Sequence, residues 1–158
     1  MIQTNKTKLA NINWYAAAYL SIVLLSLFIR VFELDSRSIH YDEAIHLMAS
    51  FKLTQEGLYQ HSAWMHGPLQ IESVSAIFHL LGDSLFTGRI LYVIVGTGLV
   101  CLPLLLRSNI GKPTTLIMAI LLTVSPTLVY MSRFARNDII IVFLSLLLFI
   151  LALSLIHI

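Results

Sequence analysis

From Trp14 to Leu34 the chain reads WYAAAYLSIVLLSLFIRVFEL, an uninterrupted apolar run whose only charges, Arg30 and Glu33, fall near its far end. A helix of roughly 20 residues is about 30 Å long, which matches the hydrocarbon thickness of a bilayer. The run therefore reads as a transmembrane helix. The small residues Ala16, Ala17 and Ala18 precede the apolar stretch, whereas a signal-peptide cleavage site follows one, so it reads as a retained anchor. Arg30 and Glu33 are expected to snorkel to the headgroups.

Three more apolar runs follow, at residues 84–106, 114–131 and 139–158. Across the 158 residues, 58% are hydrophobic and only 11% charged, and the mean hydropathy is +0.85, too apolar for a domain with a water-exposed surface. The expected fold class is all-α: a polytopic membrane protein of about four transmembrane helices, at 14–34, 84–106, 114–131 and 139–158. Pro126 is expected to kink the third span or loosen its last turns. The net charge of +2 comes from singly scattered Lys and Arg without a basic stripe, which excludes nucleic-acid binding. Cys101 is the lone cysteine and has no intrachain partner. No Gly-rich phosphate loop, zinc-type spacing or internal repeat is present. Because the sequence stops in apolar residues at Ile158, the chain is expected to be the N-terminal portion of a longer polytopic protein.

Residues 35–83 are of another character, with Asp35, Asp42, Glu43, Glu56, Glu72 and Asp83 against Arg37 and Lys52, and five of the six histidines. Starting near Asp42, a 100° step places Asp42, Glu43, His46 and Ser50 on one arc, and Ala44, Leu47, Met48 and Phe51 on the other. That pattern predicts an amphipathic helix on the membrane surface with its acids toward water. Gly67-Pro68 looks like a second helix start, and Ile71, Val74, Ile77, Phe78 and Leu81 follow at helical spacing. Glu72 and His79 interrupt this helix and it is too short to span, so it too is expected to be interfacial. Asp83-Ser84 is a plausible N-cap for the second span, with Arg89 in its first two turns.

Short Lys/Arg-rich loops stay cytoplasmic, which places the N-terminus (Lys6, Lys8) and the 107–113 connection (Arg107, Lys112) inside. With four spans, the acidic loop and the 132–138 link share the non-cytoplasmic face. Asp42, Glu43, Arg89, the 65–68 turn, Arg133, Arg136 and Asp138 then meet at one water–lipid boundary. A carboxylate there serves as general base toward an acceptor hydroxyl. Asp42 and Glu43, about 100° apart, are expected to divide the work. Their oxygens suit Mg or Mn, whereas His40 or His46 would favour a transition metal. The alternative for the pair is a solvated helix N-terminus, where acids suit the dipole. Arg133 and Arg136, three apart, share a face if the link is helical and suit a lipid phosphate; the alternative is topological flanking with an internal Arg–Asp pair to Asp138. Arg89 reads first as a membrane anchor, and His61, His66 and His79 as loop or packing residues.

Tyr41-Asp42-Glu43, His66-Gly67-Pro68-Leu69, Gly88-Arg89, Ser125-Pro126 and Ser132-Arg133-Phe134-Ala135-Arg136-Asn137-Asp138, in this order, resemble the N-terminal portion of the GT-C superfamily of membrane glycosyltransferases. The nearest branch is the protein-mannosyltransferase-like group, including the prokaryotic flippase-associated glycosyltransferase-like proteins, and the resemblance covers about residues 14 to 150. It implies an enzyme of a prokaryotic plasma membrane. Such an enzyme transfers a sugar from a polyprenyl-phosphate donor to a lipid, glycan or protein acceptor on the outer face, usually with inversion. By position, Asp42 is similar to the family's loop acid, the catalytic base or its neighbour, and Glu43 to its partner. Arg89 matches the arginine that opens the next span and is grouped with Arg133 and Arg136 as a candidate donor-phosphate ligand. Arg136 with Asp138 matches the second-loop charged site near donor phosphate or metal, which makes Asp42, Glu43 and Asp138 the candidate metal ligands, with His46 and His66 in support. The family carries many more spans and often a soluble C-terminal domain. Rival readings are a lipid-linked-sugar flippase component and an inactive fragment that packs on a partner.

Overall fold

The computed structural model describes residues 13–57, 60 and 67–156, and the described chain is all-helical. Helix α1 (Trp14–Val31) is followed by turns, then by α2 (Tyr41–Glu56) and α3 (Pro68–Leu81), which pack together as a hairpin. Next come α4 (Leu85–Cys101), a 3-10 stretch (Leu102–Leu106), α5 (Arg107–Val124), the short α6 (Pro126–Ser132) and α7 (Asp138–Ile156). Three stretches are long and apolar enough to cross a membrane: Trp14–Val31, Leu85–Val124 and Asp138–Ile156. The middle one, 40 residues, is not one rod, because the 3-10 segment and Gly111 (φ 81) interrupt it. Only glycine adopts such a backbone conformation without strain.

Cross-helix contacts fix the directions. Tyr19 donates its hydroxyl hydrogen bond to the Val100 carbonyl at 2.8 Å, and Arg89 donates to the Leu34 carbonyl at 2.8 Å, so α1 and α4 run antiparallel. Tyr15 meets Thr115 at 2.8 Å and Arg30 meets Leu122 at 3.1 Å, so α5 runs with α1. The chain has therefore folded back between α4 and α5. Helix α4 lies at the centre, touching α1, α3, α5, α6 and α7.

Local signals account for most boundaries. His40 caps α2 by accepting from the Asp42 backbone N–H at 3.2 Å, while Glu43 accepts from the His40 N–H at 3.4 Å. Ser84 and Thr87 close a reciprocal box at the start of α4, with bonds of 2.9 and 3.1 Å. Pro68 occupies the first turn of α3 after Gly67. Pro126 has no N–H and ends α5 at Val124, as its position predicted. Leu47, Val74 and Phe78 carry the α2–α3 hairpin onto the end of α4, beside Tyr92 and Ala135. Each such side chain contributes about 1.5–3 kcal/mol when withdrawn from water. Helix α7, in contrast, buries only Ile139 and Ile150 and is apolar all round, as suits a helix facing lipid.

Arg30 corrects an expectation: it does not snorkel. It is fully buried, donating to Ser26 Oγ at 2.6 Å, to the Ser26 carbonyl at 3.2 Å and to the Leu122 carbonyl at 3.1 Å. Leu122 is four residues before Pro126, so its carbonyl is the one the proline leaves without a helical donor. Arg30 supplies the missing bond. Gly96 makes the space, since a Cβ there would overlap Ser132 Cβ and lie 3.2 Å from Arg30 Nε.

Candidate functional site

The end of the bundle where α2 begins holds a cluster of guanidinium and carboxylate groups. At its centre is Glu43, fully buried, with Arg89 Nε donating to Oε1 and Nη2 to Oε2, each at 2.7 Å. The Ala135 backbone N–H reaches Oε1 at 3.1 Å, and Arg37 Nη2 reaches Oε2 at 3.3 Å. Burial alone would raise the Glu43 carboxyl above the ordinary glutamate value; the hydrogen bonds from Arg89 and Ala135 and the Arg89 charge outweigh it and hold the group below that value. The other Arg89 nitrogen, Nη1, donates to the Leu34 and Arg37 carbonyls at 2.8 and 3.1 Å. One ion pair thus joins the end of α1, the first turn of α2, the second turn of α4 and the 133–137 link. Gln70 of α3 adds a 3.0 Å bond to the Ala135 carbonyl.

Asp42, the next residue on α2, points elsewhere. Its Oδ2 lies 3.1 Å from Arg136 Nη1, and Arg136 Nε lies 3.4 Å from Asp138 Oδ2. The Asp42 and Asp138 side chains are each 40% exposed and that of Arg136 37%, against 0% for Glu43 and Arg89. The helical step that was expected to divide the adjacent acids does so: one carboxylate locks the frame, and the other stands at its rim beside an arginine and a second acid.

Several expected positions are corrected. Glu43, His46 and Ser50 do not face water; all three are buried, because this arc of α2 is turned to the rest of the bundle, while Tyr41, Met48 and Phe51 are on the exposed side. Arg89 is no headgroup anchor, since Glu43 reaches it inside the protein. Arg133 and Arg136 do not share a helical face, because the link between α6 and α7 is a turn. Arg133 instead donates to the Ile29 and Glu33 carbonyls at 3.2 and 2.9 Å, closing the end of α1 where a cation suits the helix dipole. It has no carboxylate partner among the described residues. His66 lies outside the described residues.

For a metal, the chemistry of the donors decides. The oxygens of Glu43 are taken by N–H donors, and Arg136 stands between Asp42 and Asp138. No group of three His, Cys, Asp or Glu side chains suited to hold an ion occurs among the described residues. The three carboxylates as arranged do not fit a metal, and displacing Arg136 would free only Asp42 and Asp138, since Arg89 and Ala135 still hold Glu43.

Arg37 is the site residue that sequence reading missed. Besides Glu43 it reaches the Arg133 carbonyl at 3.4 Å and lies over the rings of Phe134 and Tyr130, 5.0 and 5.3 Å from their centres. His40 packs against Phe134 as well, at 5.5 Å. The available signal was that Arg37 is one of only two cations in an acidic loop.

No protein-family model, curated protein or solved structure matches this chain.

Proposed function

We propose that the chain is an integral membrane glycosyltransferase that uses a polyprenyl-phosphate-linked sugar as donor and acts at the non-cytoplasmic face. In this reading it has four spans, the long middle stretch contributing two, with the N-terminus and the α4–α5 turn in the cytoplasm. The observation that carries it is the contrast between the two adjacent acids. Glu43 is immobilised in a buried frame, and that frame holds Asp42 at the rim, half-exposed, with Arg136 at 3.1 Å.

The chemistry needs two events. The donor phosphate competes for Arg136, whose guanidinium suits phosphate oxygens better than a single carboxylate contact. Asp42, released, accepts the proton of the acceptor hydroxyl as its oxygen bonds to the anomeric carbon. The bond from that carbon to the phosphate oxygen breaks, and polyprenyl phosphate leaves with inversion at the sugar. Arg133, a partly buried cation without a carboxylate partner among the described residues, is assigned to the leaving phosphate in this scheme, for which it would give up its bonds to the Ile29 and Glu33 carbonyls. Glu43 and Arg89 are positioning residues in this scheme. A divalent cation such as Mg or Mn enters only if Arg136 has moved off both acids.

The test is transfer of a radiolabelled sugar from polyprenyl-phosphate donors by membranes carrying the protein, wild type against Asp42→Asn. Removing a general base costs on the order of 100-fold or more. Undiminished transfer by the variant sinks the assignment. A flippase component for lipid-linked sugars is the second reading, favoured by Arg30, a buried cation within α1 that is expensive to keep in a span. Translocation of the labelled lipid without transfer would select it.

A further inference from the structure

The opposite end of the bundle carries a groove of about 370 Å³ between the start of α1 and the α4–α5 turn, lined by Tyr15, Ala16, Leu20, Val23, Leu104 and Arg107 among others. Its walls are apolar and partly open, with Leu20 59% and Leu104 38% exposed. Its mouth is basic. Arg107 lies over the Tyr15 ring at 4.8 Å and the Lys112 ammonium at 5.8 Å, so one buried aromatic ring gathers both cations. The Tyr15 ring is itself pinned by the 2.8 Å bond to Thr115.

No acidic side chain lies at this mouth to meet its charge. All eight acidic residues of the sequence fall at positions 33, 35, 42, 43, 56, 72, 83 and 138, in segments at the other end of the bundle or on the α2–α3 hairpin that covers it. Two cations over an apolar groove, with no acid at hand, complement a molecule with an anionic head and a hydrocarbon tail. We propose that the groove binds one anionic phospholipid of the cytoplasmic leaflet. Its phosphate sits between Arg107 and Lys112, and an acyl chain lies along Ala16, Leu20, Val23 and Leu104. The choice of leaflet rests on the topology proposed above; the site does not depend on the transferase reading.

Native mass spectrometry of the purified protein with added phosphatidylglycerol or phosphatidylcholine tests this. Wild type is expected to retain one phosphatidylglycerol in preference to phosphatidylcholine. Arg107→Gln with Lys112→Gln, both at exposed positions, is expected to weaken phosphatidylglycerol binding about 30-fold, from the usual contribution of two basic residues near an anionic lipid surface. Leu104→Trp keeps both cations and fills the groove, so it is expected to remove the bound lipid as well. Equal retention of the two lipids by wild type, or unchanged phosphatidylglycerol binding in either variant, overturns the proposal. So does a lipid-free dimer in which a second copy occupies the groove. Sugar transfer measured in parallel reports on the other site alone.

Discussion

Replacing Glu43 by Gln tests whether the buried ion pair is the keystone of the candidate site. The carboxylate accepts from five N–H donors: Arg89 Nε and Ala135 N, with Arg89 Nη2, Arg37 Nη2 and His40 N at the other oxygen. Glutamine keeps one acceptor oxygen and sets an NH₂ group in place of the other. In one orientation that NH₂ meets Arg89 Nε and Ala135 N; in the other it meets the remaining three donors. Either way the Arg89 charge stays buried with its counter-charge gone. Breaking a buried pair by removing one partner costs about 3–5 kcal/mol, a shift of roughly 100-fold to several thousand-fold in the unfolding equilibrium. Equilibrium unfolding in mixed micelles reads it directly. Asp42→Asn, at a rim pair 40% exposed, is expected to cost no more than about 1 kcal/mol in the same assay. Arg89→Met on top of Glu43→Gln should recover much of the loss, because no fully buried unpaired charge remains and Arg37, which also loses its partner, is one-third exposed. A Glu43→Gln protein within about 1 kcal/mol of wild type would refute the reasoning.

Further outcomes follow from the same contacts. Glu43 sits below the ordinary carboxyl range when folded, so its stabilisation is complete above that range and is lost as pH falls through the folded value. The melting temperature of wild type should hold from pH 7 to about pH 5 and drop below that, and the added drop should be missing from Glu43→Gln. A Cβ at Gly96 overlaps Ser132 Cβ, so Gly96→Ala is expected to cost about 1–3 kcal/mol in thermal melts. Ser132→Gly should relieve it, and a harmless Gly96→Ala would count against the close approach of α4 and α6. Pro126→Ala restores an N–H for the Leu122 carbonyl, so Arg30→Met should cost about 1 kcal/mol less in that background than in wild type; additive costs would show that Arg30 does not serve the break.

What the sequence made legible is what depends on one chain segment at a time. Apolar length marked α1, α4 and α7, Gly67-Pro68 and Ser84 marked helix starts, and Pro126 marked a break because its missing N–H is a covalent fact. The arc holding Glu43, His46 and Ser50 was assigned to water because polar residues on a surface helix normally face it. That rule failed here since Arg89, 46 positions away in the sequence, pays for the burial of Glu43. Arg30 was misread for the same reason, its acceptor being a carbonyl 92 residues on. Arg133 and Arg136 looked paired only on the premise of a helical link. The gathering of Asp42, Glu43, Arg89, Arg136 and Asp138 at one end was reached from span count and loop charge, which depend on order along the chain and not on contacts.

The pairing of Glu43 with Arg89 also bears on how the protein is made. Synthesis runs from the N-terminus, so in the four-span reading the loop bearing Glu43 has been exported by the time α4 brings Arg89 into the membrane. An arginine five residues into a span is a burden for insertion on its own, and here its neutralising partner is already waiting at the correct face. The backbone N–H of Ala135 and the guanidinium of Arg136 arrive only after α5 and α6 have been laid down. In that reading the frame is assembled from the inside outward during biogenesis, and the rim where Asp42 stands is the last part to close.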